Sequence, residues 1–304
     1  MSRRLHVEES AVLIDGPWTH RDVSANGIRL HVVEAGGGPL VILLHGFPGF
    51  WWSWRHQLAT LAGAGFRAVA CDLRGYGASD KPPRGYDPMT AAADVAGLVR
   101  ALGEDRAVLV GQDWGAHIAW TTAALHPRVV RRLVVVSDPH PLRWLPALAS
   151  DGRQRAASQH VARFQLPWHP ERWLVADRAA NVALLLRRWV GPGYAFGDDE
   201  RRYRDAMLIF GAPHSALEYF RWAVRSVPRS DGRRFRQALR RPIEAPTLQL
   251  HGAADGCVLP STAQRSDMYV AAPYEWKLLD GVGHFPPEEA PDVVSDEILR
   301  WLKD

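Results

Sequence analysis

The stretch Leu109–Trp120, LVGQDWGAHIAW, decides how this chain is read. It starts inside RAVLVGQ, an apolar run fit for a buried strand, and continues as GAHIAWTTAALHP, a helical pattern stopped at Pro127. A strand therefore turns directly into a helix, with an aspartate, Asp113, at the turn. Asp is among the best helix N-caps, and taken alone the residue needs no other explanation. Its neighbours argue for more. Gly111 and Gly115 stand two residues before and two after it. That is the spacing of a nucleophile elbow, G-x-S-x-G, with Asp at the serine position. Small flanking residues let the strand and helix backbones approach closely, and the central side chain is held above the carboxyl edge of a sheet.

Outward from the elbow, the chain alternates strand and helix. WTHRDVSANGIRLHVVEAGGGP reads as a hairpin turning at Asn26-Gly27. PLVILLHG, FRAVACDLRG and VRRLVVVSDP are further apolar runs suited to strands buried on both faces. MTAAADVAGLVRALG has helical spacing and a glycine stop at Gly103. This order predicts an α/β fold with a mostly parallel sheet flanked by helices and right-handed crossovers. After residue 138 the strand signals stop. Helical spacing takes over in ERWLVADRAANVALLLRRWV and HSALEYFRWAVRS, in a segment where arginines outnumber acidic residues. Strands return in APTLQLHGAAD and EWKLLDGVGHF, followed by a last helix, APDVVSDEILRWLKD. The expected organisation is a core of residues 1–138 and 242–304 with a helical cap, 139–241, inserted over the sheet's edge.

Composition narrows the function classes. The 304 residues are 47% hydrophobic and 23% charged, ordinary for a globular chain able to bury a large core. The net charge is +4. Nearly all the positive charge is arginine, the only lysines being Lys81, Lys277 and Lys303, and no tight basic run is interleaved with aromatics. No nucleic-acid partner is expected. No apolar run approaches the roughly eighteen residues of a membrane span, and MSRRLHVEES carries no apolar leader region. Cys71 and Cys257 form neither a CxxC motif nor a disulfide framework, so a reduced, cytoplasmic setting is expected.

Chemistry enters through residues that follow other strands. LLHGFPGFWWSW places Phe47 after a strand end, where its backbone N–H and that of Trp114 can form an oxyanion hole. LHGAADGCV offers Asp255, and GVGHFPPEEAP offers His284. Nucleophile, acid, histidine is the chain order of a hydrolase triad on such a sheet. Asp138, in VVVSDPH, is an alternative acid, with a turn residue before Pro139 as its plain reading.

These segments, with CDLRGYGASDKP, resemble the epoxide hydrolase branch of the α/β-hydrolase superfamily, the bacterial members of the soluble and microsomal type with an Asp nucleophile. HGFP and GQDWGA carry the likeness. The resemblance implies a core domain with a helical cap and a cis Phe47–Pro48 bond. It also implies a reaction in which the nucleophile attacks a saturated carbon. A carboxylate is ionised at neutral pH and needs no base to attack. The alkyl ester it forms presents an acyl carbon to water, with His284 as general base.

Such enzymes open epoxides with two cap tyrosines, one in a Y-x-x-x-F-Q-x-P pattern and one directly before an Arg. Here HVARFQLP puts His160 at the first place, and EYFR puts Phe220 at the second with Tyr219 one residue earlier. One residue turns a helix by about 100°. His160 and Tyr219 are the candidate ring-opening donors. Haloalkane dehalogenase is the alternative reading, against which stands Phe47 where many of those enzymes have Asn. A hydrolase-fold binding or receptor-like protein is the second alternative. The expected partners are a small hydrophobic epoxide and water, without cofactor, metal or integral membrane association. A homodimer is compatible with the sequence.

Overall fold

The protein is described here by a computed structural model covering residues 6–303. The first five residues, part of the stretch read above for a leader, lie outside the described residues. Eight strands form one sheet: β1 (Thr19–Ala25), β2 (Ile28–Ala35), β3 (Leu40–Leu44), β4 (Arg67–Cys71), β5 (Ala107–Gln112), β6 (Val130–Val136), β7 (Thr247–Gly252) and β8 (Tyr274–Leu279). Their order is β1-β2-β4-β3-β5-β6-β7-β8, with β1 and β2 antiparallel and the rest parallel from β4 to β8. Asn26 and Gly27 both take positive φ, 48° and 78°, as a two-residue hairpin turn requires.

The order fixes where the helices go. From β3 the chain moves one way to β4, through α1 (Arg55–Gly63). It then crosses back over β3 to β5, through α2 (Pro88–Ala101). Right-handed crossovers in opposite directions put their helices on opposite faces. α3 (Trp114–Leu125) continues in the second direction and packs on α2, while the last helix, Pro291–Lys303, packs on α1. With both faces covered, β3, β5 and β7 are buried along their whole length. The direction of winding reverses between β3 and β5. Clefts outside the carboxyl ends of parallel strands form at such a point, and it is the point from which Phe47 and Asp113 emerge.

Between β6 and β7 the chain is helical: α4 (Trp144–Ser150), α5 (Gly152–Ala157), α6 (Gln159–Arg163), α7 (His169–Trp189), α8 (Asp199–Met207), α9 (Ala212–Arg225) and α10 (Ser230–Ala238). The stretch that reads as one continuous helix, ERWLVADRAANVALLLRRWV, is interrupted. Ala176 is extended, and Asp177, Arg178 and Ala179 take positive φ inside α7. The break exposes carbonyls that the helix cannot use. Arg204 of α8 donates to two of them, Arg178 O at 2.8 Å and Asp177 O at 3.3 Å. After β8 come a short turn of helix, α12 (Pro286–Glu289), preceded in the chain by α11 (Pro260–Ala263), and the closing helix α13 (Pro291–Lys303).

Candidate active site

Asp113 does not cap α3: its side chain makes no capping hydrogen bond. Its backbone sits at φ 51°, ψ −121°, a conformation that is strained for a residue with a side chain. Such strain costs about 1–3 kcal/mol and persists only where the surroundings enforce it. Here they do. A Cβ on Gly115 would lie 2.0 Å from Leu44 O, and one on Gly111 would lie 2.3 Å from Gly115 O. A Cβ on Gly46 would lie 2.5 Å from Asp113 Oδ2. Three glycines thus let β3, β5 and α3 close on one another and leave the carboxylate pointing over the sheet's edge.

The two carboxylate oxygens have different neighbours. Oδ2 accepts the Phe47 backbone N–H at 2.7 Å. Oδ1 lies 3.6 Å from His284 Nε2. Trp114 opens α3, so its N–H has no acceptor within the helix. The Phe47–Pro48 bond is cis. On its far side His284 Nδ1–H donates to Asp255 Oδ2 at 2.8 Å. Asp255 is itself fixed, its Oδ1 accepting from the N–H groups of Cys257 (2.8 Å) and Val258 (2.9 Å). His284 is fully buried. Burial works against its charge, but Asp255 and Asp113 outweigh it and raise the imidazole to about 10.

The helical segment roofs this edge with rings. Phe47 meets Phe164, Trp189 and Phe220 at centroid distances of 5.6, 6.3 and 5.2 Å. Trp114 meets Phe220 at 5.2 Å, and Trp189 meets His284 at 5.6 Å. Asp113 remains partly accessible beneath them, its side chain 14% exposed.

A family model described as alpha/beta hydrolase fold matches residues 39–291. Epoxide hydrolase A of Mycobacterium tuberculosis is 32% identical over 315 aligned residues, covering 94% of this chain and 98% of that protein. Epoxide hydrolase 4 of Homo sapiens is 31% identical over 291, covering 93% and 78%. A crystal structure of Bacillus megaterium epoxide hydrolase with an inhibitor matches with a TM-score of 0.82 at 27% identity, covering 93% of this chain and 100% of that one. The chain is an α/β hydrolase of the epoxide hydrolase branch.

Within this α/β hydrolase, the remaining expected site residues separate. Asp138 is buried at the end of β6, but its partners are Trp144 Nε1 (3.1 Å) and His117 Nδ1 (3.4 Å), not His284. Burial raises its carboxyl to about 6. Tyr219 lies on α9 with its hydroxyl donating to Arg74 O at 2.9 Å, and burial lifts that phenol well above its ordinary range. Phe220, the next residue, turns toward Phe47, while both rings lie against Trp114, Tyr219 at 5.4 Å and Phe220 at 5.2 Å. His160 joins the roof, 4.9 Å from Trp189 and 5.9 Å from Phe220. Burial lowers it to about 4, with its Nδ1 3.3 Å from Ala157 O, and the charges of Asp113 and His284 both act on it.

His45 and His251 hold loops, as their positions at strand ends suggest. His45 accepts Leu73 N–H at 3.1 Å, and His251 Nε2–H donates to Val258 O at 2.8 Å. Two supporting residues escape a reading of the sequence. Gln112 Nε2 donates to His284 O at 2.9 Å, and His284 N–H donates to Trp189 O at 2.8 Å. Gln112 stands beside Asp113 in the chain, which is its one sequence signal. Trp189 has none beyond being aromatic.

Proposed function

We propose that this protein is an epoxide hydrolase that opens small hydrophobic epoxides to vicinal diols through an ester on Asp113. The observation that carries the reading is the division of labour at that carboxylate. Oδ2 is occupied by an oxyanion donor, while Oδ1 is free of the helix and faces the His284–Asp255 pair. In the first half, Oδ1 attacks an epoxide carbon, the ring C–O bond breaks, and the alkoxide takes a proton. In the second half, water attacks the ester carbonyl carbon and His284 takes its proton. The negative charge then develops on Oδ2, where Phe47 and Trp114 N–H groups stabilise it. Collapse expels the second alkoxide, which takes the water's proton from His284 to complete the diol; the Asp113 carboxyl left behind gives its proton back to the ring-opening donor and is again a carboxylate.

The histidine's charge state suits this sequence. Between two carboxylates it carries a proton. Esterification removes the Asp113 charge, weakens the hold on that proton and makes the base form available for the second half. The segment 139–241 acts as the cap, and its aromatic rings favour apolar substrates. With the Tyr219 hydroxyl committed to Arg74 O, His160 in the roof is the remaining candidate for the ring-opening donor. His160 supplies its proton from Nε2, which requires the tautomer opposite to one bonding Ala157.

The test is turnover against a panel of aryl and alkyl epoxides and of haloalkanes of similar size. Diol formation from epoxides that Asp113→Asn abolishes supports the reading. Halide release without diol formation would assign the site to dehalogenation, and turnover of neither class would assign it to binding.

A further inference from the structure

The loop that carries His284 is gripped by one side chain. Glu289 Oε2 accepts the N–H groups of Gly283 and Gly191, each at 2.7 Å, and Oε1 accepts Phe285 N–H at 2.8 Å. The residues on both sides of His284 are therefore tied to the same carboxylate. The third donor, Gly191, comes from the end of α7, two residues after Trp189. That tryptophan accepts the N–H of His284 and packs its ring on the imidazole. The contact is closed to the limit. A Cβ on Gly283 would lie 2.2 Å from Gly191 N, and one on Gly191 would lie 2.2 Å from Gly281 O. Hydrogen bonds to an ionised acceptor are roughly twice as strong as neutral ones, so the carboxylate form is what this clamp requires.

We infer that Glu289 is a positioning residue for ester hydrolysis, holding the His284 loop against the end of α7 so that Nε2 keeps its distance from Asp113. The inference rests on the reading of Asp113 as the esterified residue. Ring opening uses the Asp113 carboxylate and a cap donor, and the base takes no part in it. Loosening the clamp displaces His284 directly and reaches the first half only through the contact of Trp189 with His160 and the charge beside Asp113, so ester decay suffers far more than ester formation. A misplacement of ~1 Å costs on the order of 100-fold in the step it affects. Glu289 thus acts chiefly on the second half-reaction, through a residue it does not touch side chain to side chain.

The experiment compares the intact enzyme with Glu289→Gln and Glu289→Asp, at a temperature where all three are folded by circular dichroism. Rapid mixing with an epoxide followed by intact mass gives the rates of ester formation and decay. Proton NMR of the substrate-free proteins follows the His284 Nδ1–H resonance. The expected result for Glu289→Gln is ester formation within about threefold of the parent, decay at least about tenfold slower, and a shifted or broadened imidazole resonance. Glu289→Asp, which keeps the charge, recovers part of the decay rate. Equal losses in both rates, unchanged decay, or an unmoved resonance would overturn the assignment. If the parent enzyme forms no ester with any epoxide, the nucleophile reading fails, and the resonance alone then decides the role of Glu289.

Discussion

At the scale of the residue, Asp113 departs from a helix cap in a way that chemistry can read. Its carboxylate bonds sideways to Phe47 and faces His284, and nothing of it is spent on α3. Because Asp113 helps hold the proton on His284, Asp113→Asn removes one of two negative neighbours and lowers the imidazole from about 10. NMR titration of the substrate-free variant checks this, and an unmoved pKa would contradict the electrostatic account. The cap donors give a second prediction. A general acid contributes about 100-fold or more, so His160→Phe slows ester formation by roughly that factor. Tyr219→Phe, which removes a bond to Arg74 O, lowers stability but leaves ester formation within about fivefold, a tenth or less of the effect of a lost acid. The reverse ranking would move the donor role to Tyr219. The sequence already marked Tyr219 as one residue out of place, and Phe220 occupies the direction it lacks. Why Tyr219 turns to Arg74 was not legible, because Arg74 is 145 residues away in the chain.

At the scale of the element, the elbow was legible because its constraint is local. Gly111 and Gly115 flank Asp113 in sequence, and the steric reason for them is the approach of β5 to α3. Gly115→Ala sets a Cβ 2.0 Å from Leu44 O, a backbone atom that cannot yield without moving β3. Overpacking of this kind costs about 1–3 kcal/mol or more. Thermal denaturation should show a fall of several degrees, and an unchanged midpoint would mean that the elbow is looser than described. α7 was legible only in part. Its residues have helical spacing throughout, yet it breaks at Ala176–Ala179. The carbonyls freed there are satisfied by Arg204, a tertiary partner that periodicity does not register.

At the scale of the whole molecule, the mostly parallel sheet followed from the alternation of strands and helices, as did the strand ends at which Phe47, Asp113, Asp255 and His284 stand; the strand order and its switch point did not. Nor did the way the helical segment fastens to the core. Arg55 of α1 pairs with Glu288 at 2.7 Å and with Asp199 of α8 at 2.8 Å, and Tyr203 of α8 donates to the same Glu288. The Arg55 and Glu288 side chains are 12% and 2% exposed, so solvent screens this pair little. Removing one partner of a buried pair costs about 3–5 kcal/mol. Glu288→Ala should therefore lower the thermal midpoint by roughly 6–20 °C, at about 2–4 °C per kcal/mol for a large domain. A change of a degree or two would show that the segment is held mainly by its aromatic contacts.

The central claim is that Asp113 becomes an ester that His284 clears. The most direct measurement is intact-mass analysis of His284→Gln mixed with an epoxide, followed by peptide mapping. The account predicts an adduct equal to the mass of the epoxide, localised on Asp113 and absent from the Asp113→Asn, His284→Gln double variant. An unmodified Asp113 under conditions where the parent enzyme produces diol would contradict it.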